Sequence, residues 1–292
     1  MKNVVLLTSL LFALLTFQSK AQSLQSYTPS VLLSKGQNEF KLFNSLYTET
    51  QKRDQHGNEY QLGQRESFFN NQVRWLHGIS DSKRVNVGLE INITTAKLGS
   101  KNSGVLDVLS AGGLANKTLL SSFGPSVKVV PFSNVGNFSV QSTFLIPTSR
   151  KKLESDGLFV NHNRYSWFTQ FFYDRALSGQ WNLFVEADIL ARLKVEEEQK
   201  NFYRVPLSLI FSHFLTDKIT LYTNVQHAAA YGNHEEFIDE PFGRLRWYTQ
   251  LGVGGKYLFS NGFEVECSYS NFILSKNDGA GHSINLGFRI LK

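Results

Sequence analysis

Arg84-Val85-Asn86-Val87-Gly88-Leu89-Glu90-Ile91-Asn92-Ile93-Thr94 sets Val85, Val87, Leu89, Ile91 and Ile93 at every second position, with Arg84, Asn86, Glu90, Asn92 and Thr94 between them. A β-strand points successive side chains to opposite faces, so this stretch specifies a strand with one apolar and one polar face. A helix would scatter the same residues around its circumference. The pattern recurs with Trp181, Leu183, Val185, Ala187 and Ile189 against Glu186, Asp188 and Arg192. It returns with Leu245, Trp247, Leu251, Val253 and Tyr257 against Arg246, Gln250 and Lys256. Near the C-terminus Ile284, Leu286, Phe288 and Ile290 alternate with Ser283, Asn285 and Arg289.

The connections alternate as well. Short polar turns at residues 80–83, 133–136, 178–180, 216–218 and 260–262 carry Gly, Asn, Asp and Ser, which favour tight turns. Longer polar segments lie between them, at 54–63, 98–124, 148–163, 194–201, 231–242 and 276–281. Together these divide the chain into about twelve strands, an even number as single-chain outer-membrane barrels require. The expected spans are 36–52, 64–79, 84–97, 125–132, 137–147, 164–176, 181–193, 202–215, 219–231, 243–258, 262–275 and 281–291. Most exceed the roughly five or six residues usual in globular sheets and match the roughly nine to eleven that a membrane-spanning strand needs. That length and the long–short loop pattern favour a transmembrane antiparallel up-and-down barrel, with both termini periplasmic, over a soluble β-sandwich.

Lys2, the apolar run Val4 to Phe17 and Ser19-Lys20-Ala21 have the order of a cleaved signal peptide, 1–21. The run is short for a membrane-anchoring helix. Residues 22–34 read as a short periplasmic leader and 35–292 as one barrel domain. Cys267 is the only cysteine, which excludes an intramolecular disulfide and argues against a stapled secreted domain. The net charge of +6 is spread along the chain, with no basic block to engage nucleic acid. A mean hydropathy of −0.22 suits either a soluble protein or a barrel, whose strands show only alternate residues to lipid.

If the apolar faces meet lipid, the polar faces line a lumen. Its candidate residues are Arg74, Arg84, Glu90, Asp174, Glu186, Asp188, Arg192, Arg204, Arg246, Lys256, Glu264, Glu266 and Arg289, joined by Lys41 and Lys128. Such groups can tune a solute path, or they can pair with one another and fill a narrow barrel. The similar numbers of both signs favour the filling network for most of them. No catalytic, cofactor or metal site is expected. His282 and Ser283 are adjacent, as are Ser212 and His213, so each strand sends the two to opposite faces, away from a hydrolase arrangement. The acidic run Glu196-Glu197-Glu198 and the group His234-Glu235-Glu236 read as solvated loop residues. Val105, Leu106, Val108, Leu109, Leu114, Leu119 and Leu120 make the 98–124 loop unusually apolar, which suggests a short helix folded into or over the barrel mouth.

A signal ending in Ala21-Gln22, the opening Leu33-Ser34-Lys35-Gly36-Gln37 and the stretch Arg84 to Leu89 resemble outer-membrane barrels of Bacteroidota. Those are distantly similar to the family named after a meta-pathway phenol-degradation protein, whose members are loosely described as transporters. The resemblance implies an outer-membrane location, lipid contact and a role as channel or passive transporter for a small solute, and it supplies no catalytic residues. The alternatives are a non-conducting barrel that binds other envelope proteins and, less favoured, an outer-membrane lipid hydrolase.

Overall fold

The computed structural model describes residues 30–110, 115–148, 153–155, 158–160, 164–194, 201–232, 244–259 and 262–292. Twelve long strands make up the molecule. They are β1 Asn38–Arg53, β2 Glu59–Gly78, β3 Val85–Ser100, β4 Ala115–Val129, β5 Phe138–Pro147 and β6 Ser166–Ser178. After them come β7 Trp181–Arg192, β8 Phe202–Phe214, β9 Ile219–Gly232, β10 Arg244–Leu258, β11 Phe263–Lys276 and β12 His282–Leu291. Every strand pairs antiparallel with its neighbours in sequence, and β1 pairs with both β2 and β12, so the sheet closes on itself. The closing ladder runs from Glu39 opposite Leu291 to Thr48 opposite His282. The two-residue bridge Asp278–Gly279 extends it against Lys52 and Arg53. Leu153–Ser155 and Leu158–Val160 form a separate small ribbon.

Period-two patterning explains the closure. The outward set includes Leu89 at 49%, Trp167 at 53% and Val253 at 58% exposure. It continues around the wall through Phe40, Ile189, Leu209, Leu221 and Leu286. A belt of this kind would drive a water-soluble protein to aggregate, and it is the surface a barrel presents to lipid. Aromatic residues gather where the belt meets water. At the short-turn, periplasmic end Trp181 stacks on Phe211 at 4.8 Å and Tyr257 meets Phe259 at 4.5 Å. At the long-loop end Phe144 meets Trp167 at 6.2 Å and Tyr269 meets His282 at 5.8 Å.

Two expectations need correction. Strand β4 begins at Ala115, ten residues before the expected start at 125, because a bulge hides its alternation. The β3–β4 register shifts between Asn92 and Ile93, leaving Ser121 as the extra residue. Leu120 and Phe123 therefore both face outward at 44% exposure although three positions separate them, which no period-two reading of the sequence follows. The apolar 98–124 segment is accordingly mostly hairpin. Its helical part is one 3-10 turn, Val105–Leu109, which does not cover the lumen. Lys97 and Arg65, both outward by register, hold this turn and its approach by donating to Asp107 O at 2.6 Å and Ser103 O at 2.8 Å. The turn rests on the outer side of its own hairpin, with Val108 buried.

Candidate functional site: the barrel lumen

At the short-turn end, residues 30–34 fold into the mouth of the barrel. Leu32 and Leu33 of the leader are each 6% exposed and Ser30 is 2% exposed. The Ser30 hydroxyl donates to Asp174 on β6, whose other oxygen accepts from Asn182 at 2.8 Å. Lys128 on β4 reaches the Val31 carbonyl at 3.5 Å and lies 5.1 Å from the Phe172 ring. The Asn86 amide, oriented to satisfy both its atoms, accepts from the Leu33 N–H at 3.1 Å. The leader then joins the wall through Gly36 N–H donating to Gly78 O at 2.8 Å. Gly78 has to be glycine here, since a Cβ would stand 2.1 Å from the Ser34 carbonyl oxygen. Residues 1–29, which hold the expected signal peptide and the first part of the expected leader, lie outside the described residues.

Above the leader the interior charges pair. Glu90, 1% exposed, accepts from Arg74 at 3.0 Å, Gln72 at 2.8 Å and Asn92 at 3.1 Å. Arg289 donates to Glu39 at 2.5 Å. Lys256 meets Glu266 at 3.4 Å, and the Tyr222 hydroxyl donates to the same carboxylate at 2.6 Å. Gln170 bridges Arg74 at 3.3 Å and Glu186 at 2.8 Å, and Glu186 abuts Asp188. Glu264 lies close to Lys256, and Lys41 sits among Glu39, Glu266, Lys256 and Arg289. These pairs link neighbouring strands through the barrel interior. Arg84 stands apart from them. It precedes β3 at the periplasmic rim, where its guanidinium donates to the Val130 carbonyl at 3.1 Å and caps the β4–β5 turn.

The long-loop end differs. Arg192, Arg204 and Arg246 come from β7, β8 and β10 and converge on two rings. Arg192 and Arg246 each lie 5.7 Å from the centroid of Phe202, and Arg204 lies 5.1 Å from that of Tyr248. Among the described residues no carboxylate lies within ion-pair distance of these three. Beside them a cavity of about 190 Å³ is walled by Asn70, Asn92, Ser122, Leu145, Leu190, Arg164 and Arg192, among others. Gln226 ties the neighbouring wall together, accepting from Tyr248 at 3.0 Å and Gln250 at 2.6 Å.

Sequence reasoning named the arginines but not their convergence, because partners on β7, β8 and β10 are set by barrel geometry and not by spacing. It passed over the burial of Ser30, Leu32 and Leu33 as well. The apolar triplet Val31-Leu32-Leu33 in an otherwise polar leader was the available signal. Ser212 faces inward opposite Tyr222 while His213 stacks outside on Trp181 at 4.1 Å. His282 and Ser283 also divide between the two faces. No group of three or more His, Cys, Asp and Glu among the described residues is placed to hold a metal ion. The runs 196–198 and 234–236 fall outside the described residues.

No family model and no curated protein matches the chain. Solved structures do match in shape. The COG4313 outer membrane channel from Pseudomonas putida F1 superposes with a TM-score of 0.69 at 14% identity, covering 90% of this chain and 98% of that one. The β domain of the Bordetella autotransporter BrkA follows at 0.55 and 11% identity, covering 87% of this chain and 99% of that one. At such identities the likeness concerns the fold: this chain has the closed twelve-stranded architecture of outer-membrane β-barrels.

Proposed function

We propose that the protein is an outer-membrane channel or passive transporter for a small solute, closed from the periplasmic side by its own leader. The carrying observation is the asymmetry of the lumen. Its upper part keeps a cavity of about 190 Å³ with both polar and apolar walls, while its lower part is occupied by a strand-free segment as well as by wall side chains. Burying two leucines contributes roughly 3–6 kcal/mol. Ordering the leader backbone opposes this at about 1–2 kcal/mol per residue. The near balance favours a leader that can leave the mouth. The similar structure from Pseudomonas putida F1 is described as an outer membrane channel, which supports the reading, as does the resemblance to transporter-like barrels.

Solute entry into proteoliposomes, followed by light scattering, tests the proposal. Uptake by the native protein, increased in Leu33→Asp, is expected. The paired lower lumen suits the adaptor alternative. No uptake by either protein, together with stoichiometric recovery of an envelope protein in a pull-down, would replace the channel with that adaptor.

A further inference from the structure

We propose that the upper lumen holds a binding site for a small carboxylate with a compact apolar body, its carboxylate gripped by Arg192, Arg204 and Arg246. The inference rests on the reading of the lumen as a solute path and names the solute class that the path would take. Elsewhere in the barrel each interior arginine or lysine of the ion-pair network has a carboxylate at hand, as in Arg74 with Glu90, Arg289 with Glu39 and Lys256 with Glu266. Among the described residues Arg192, Arg204 and Arg246 have no carboxylate within ion-pair distance, and like charges brought together in a partly buried space repel each other. Asp278 acts on Arg246 through space but makes no ion pair with it. An incoming anion relieves that repulsion.

The geometry suits a planar oxyanion. Phe202 is flanked by Arg192 and Arg246, both at 5.7 Å, and Tyr248 backs Arg204 at 5.1 Å. Rings that support guanidinium faces leave the N–H edges to donate, and those edges match a carboxylate in pairs. Leu145 and Leu190 give the adjoining cavity an apolar side, while Asn92 and Ser122 give it hydrogen-bonding groups. Its volume of about 190 Å³ falls below the ~300 Å³ at which sites for drug-sized molecules begin. A single-ring or branched monocarboxylate is of the right scale.

The test is fluorine NMR of 4-fluorobenzoate titrated with the full barrel in a zwitterionic detergent, against neutral 4-fluorobenzamide. We expect saturable benzoate binding that weakens with salt, at least about tenfold weaker benzamide binding, and about tenfold loss in Arg192→Gln and in Arg204→Gln. Heat-modifiable gel migration establishes that each variant is folded. Equal binding of the two probes, no saturable binding, or full benzoate affinity in both folded variants overturns the site. The comparison of the two probes on the native protein decides even if a variant does not fold. Micelle binding needs no transport. Binding without flux therefore removes the channel and keeps the site, whereas flux without binding removes the site alone.

Discussion

Glu90, at 1% exposure and with donors from Arg74, Gln72 and Asn92, is the lumen carboxylate with the most to lose from a missing partner. Arg74→Met strands that charge and should cost about 3 kcal/mol in guanidinium unfolding. Arg74→Met with Glu90→Leu removes both charges and should fall within about 1.5 kcal/mol of the native protein. A large loss in the double variant would mean the pair does more than neutralise itself. At the exposed tip of the β1–β2 hairpin, the Asn58 N–H at 2.9 Å and then the His56 N–H at 2.8 Å hold the Asp54 carboxyl below its ordinary range. A lowered folded-state value means that the order this carboxylate gives the tip is present above the unfolded-state value and fades as pH falls through the folded one. Protection of those two amides from hydrogen exchange should follow that course, and Asp54→Asn should keep the acceptor while removing the pH dependence. Sequence placed Arg74 and Glu90 on polar faces. That they stand directly opposite depends on the β2–β3 register, which alternation alone does not specify.

Strand β4 is where element-level reading failed, and the cause is physical. Ser121 breaks the two-residue phase, and Gly124-Pro125 interrupts the ladder to β5, so the segment carries the marks of a loop while being a wall. A Cβ at Gly124 would stand 1.7 Å from the Phe144 carbonyl oxygen. Gly124→Ala should therefore lower stability by about 1–3 kcal/mol, read as a shifted denaturation midpoint. Gly136→Ala, in a turn with no atom within 4 Å of the added carbon, should leave it unchanged. Strands without bulges at their centres, such as β7 and β12, matched their alternation almost to the residue. Legibility thus followed local regularity: the lipid-facing wall was readable, and its irregular seam was not.

For the molecule as a whole, the apolar belt and the alternating loop lengths specify a closed barrel, while the contents of the barrel depend on contacts distant in sequence. Asp174 meets Ser30 across a separation of 144 residues, and the upper arginines come from three strands. The 3-10 turn of the apolar 98–124 segment packs on the outer side of the wall, whereas the segment buried in a barrel mouth is Ser30 to Leu33 of the leader, at the opposite end. Release of that leader is the event on which conduction would turn, and two unrelated substitutions should provoke it. Leu33→Asp buries a charge beneath the leader, and Gly78→Val drives a side chain into the Ser34 carbonyl. The direct measurement is single-channel current in planar bilayers at matched protein levels. The leader-closed channel predicts small, brief openings for the native protein and larger, longer ones for both variants. Identical silent traces from all three folded proteins would contradict it.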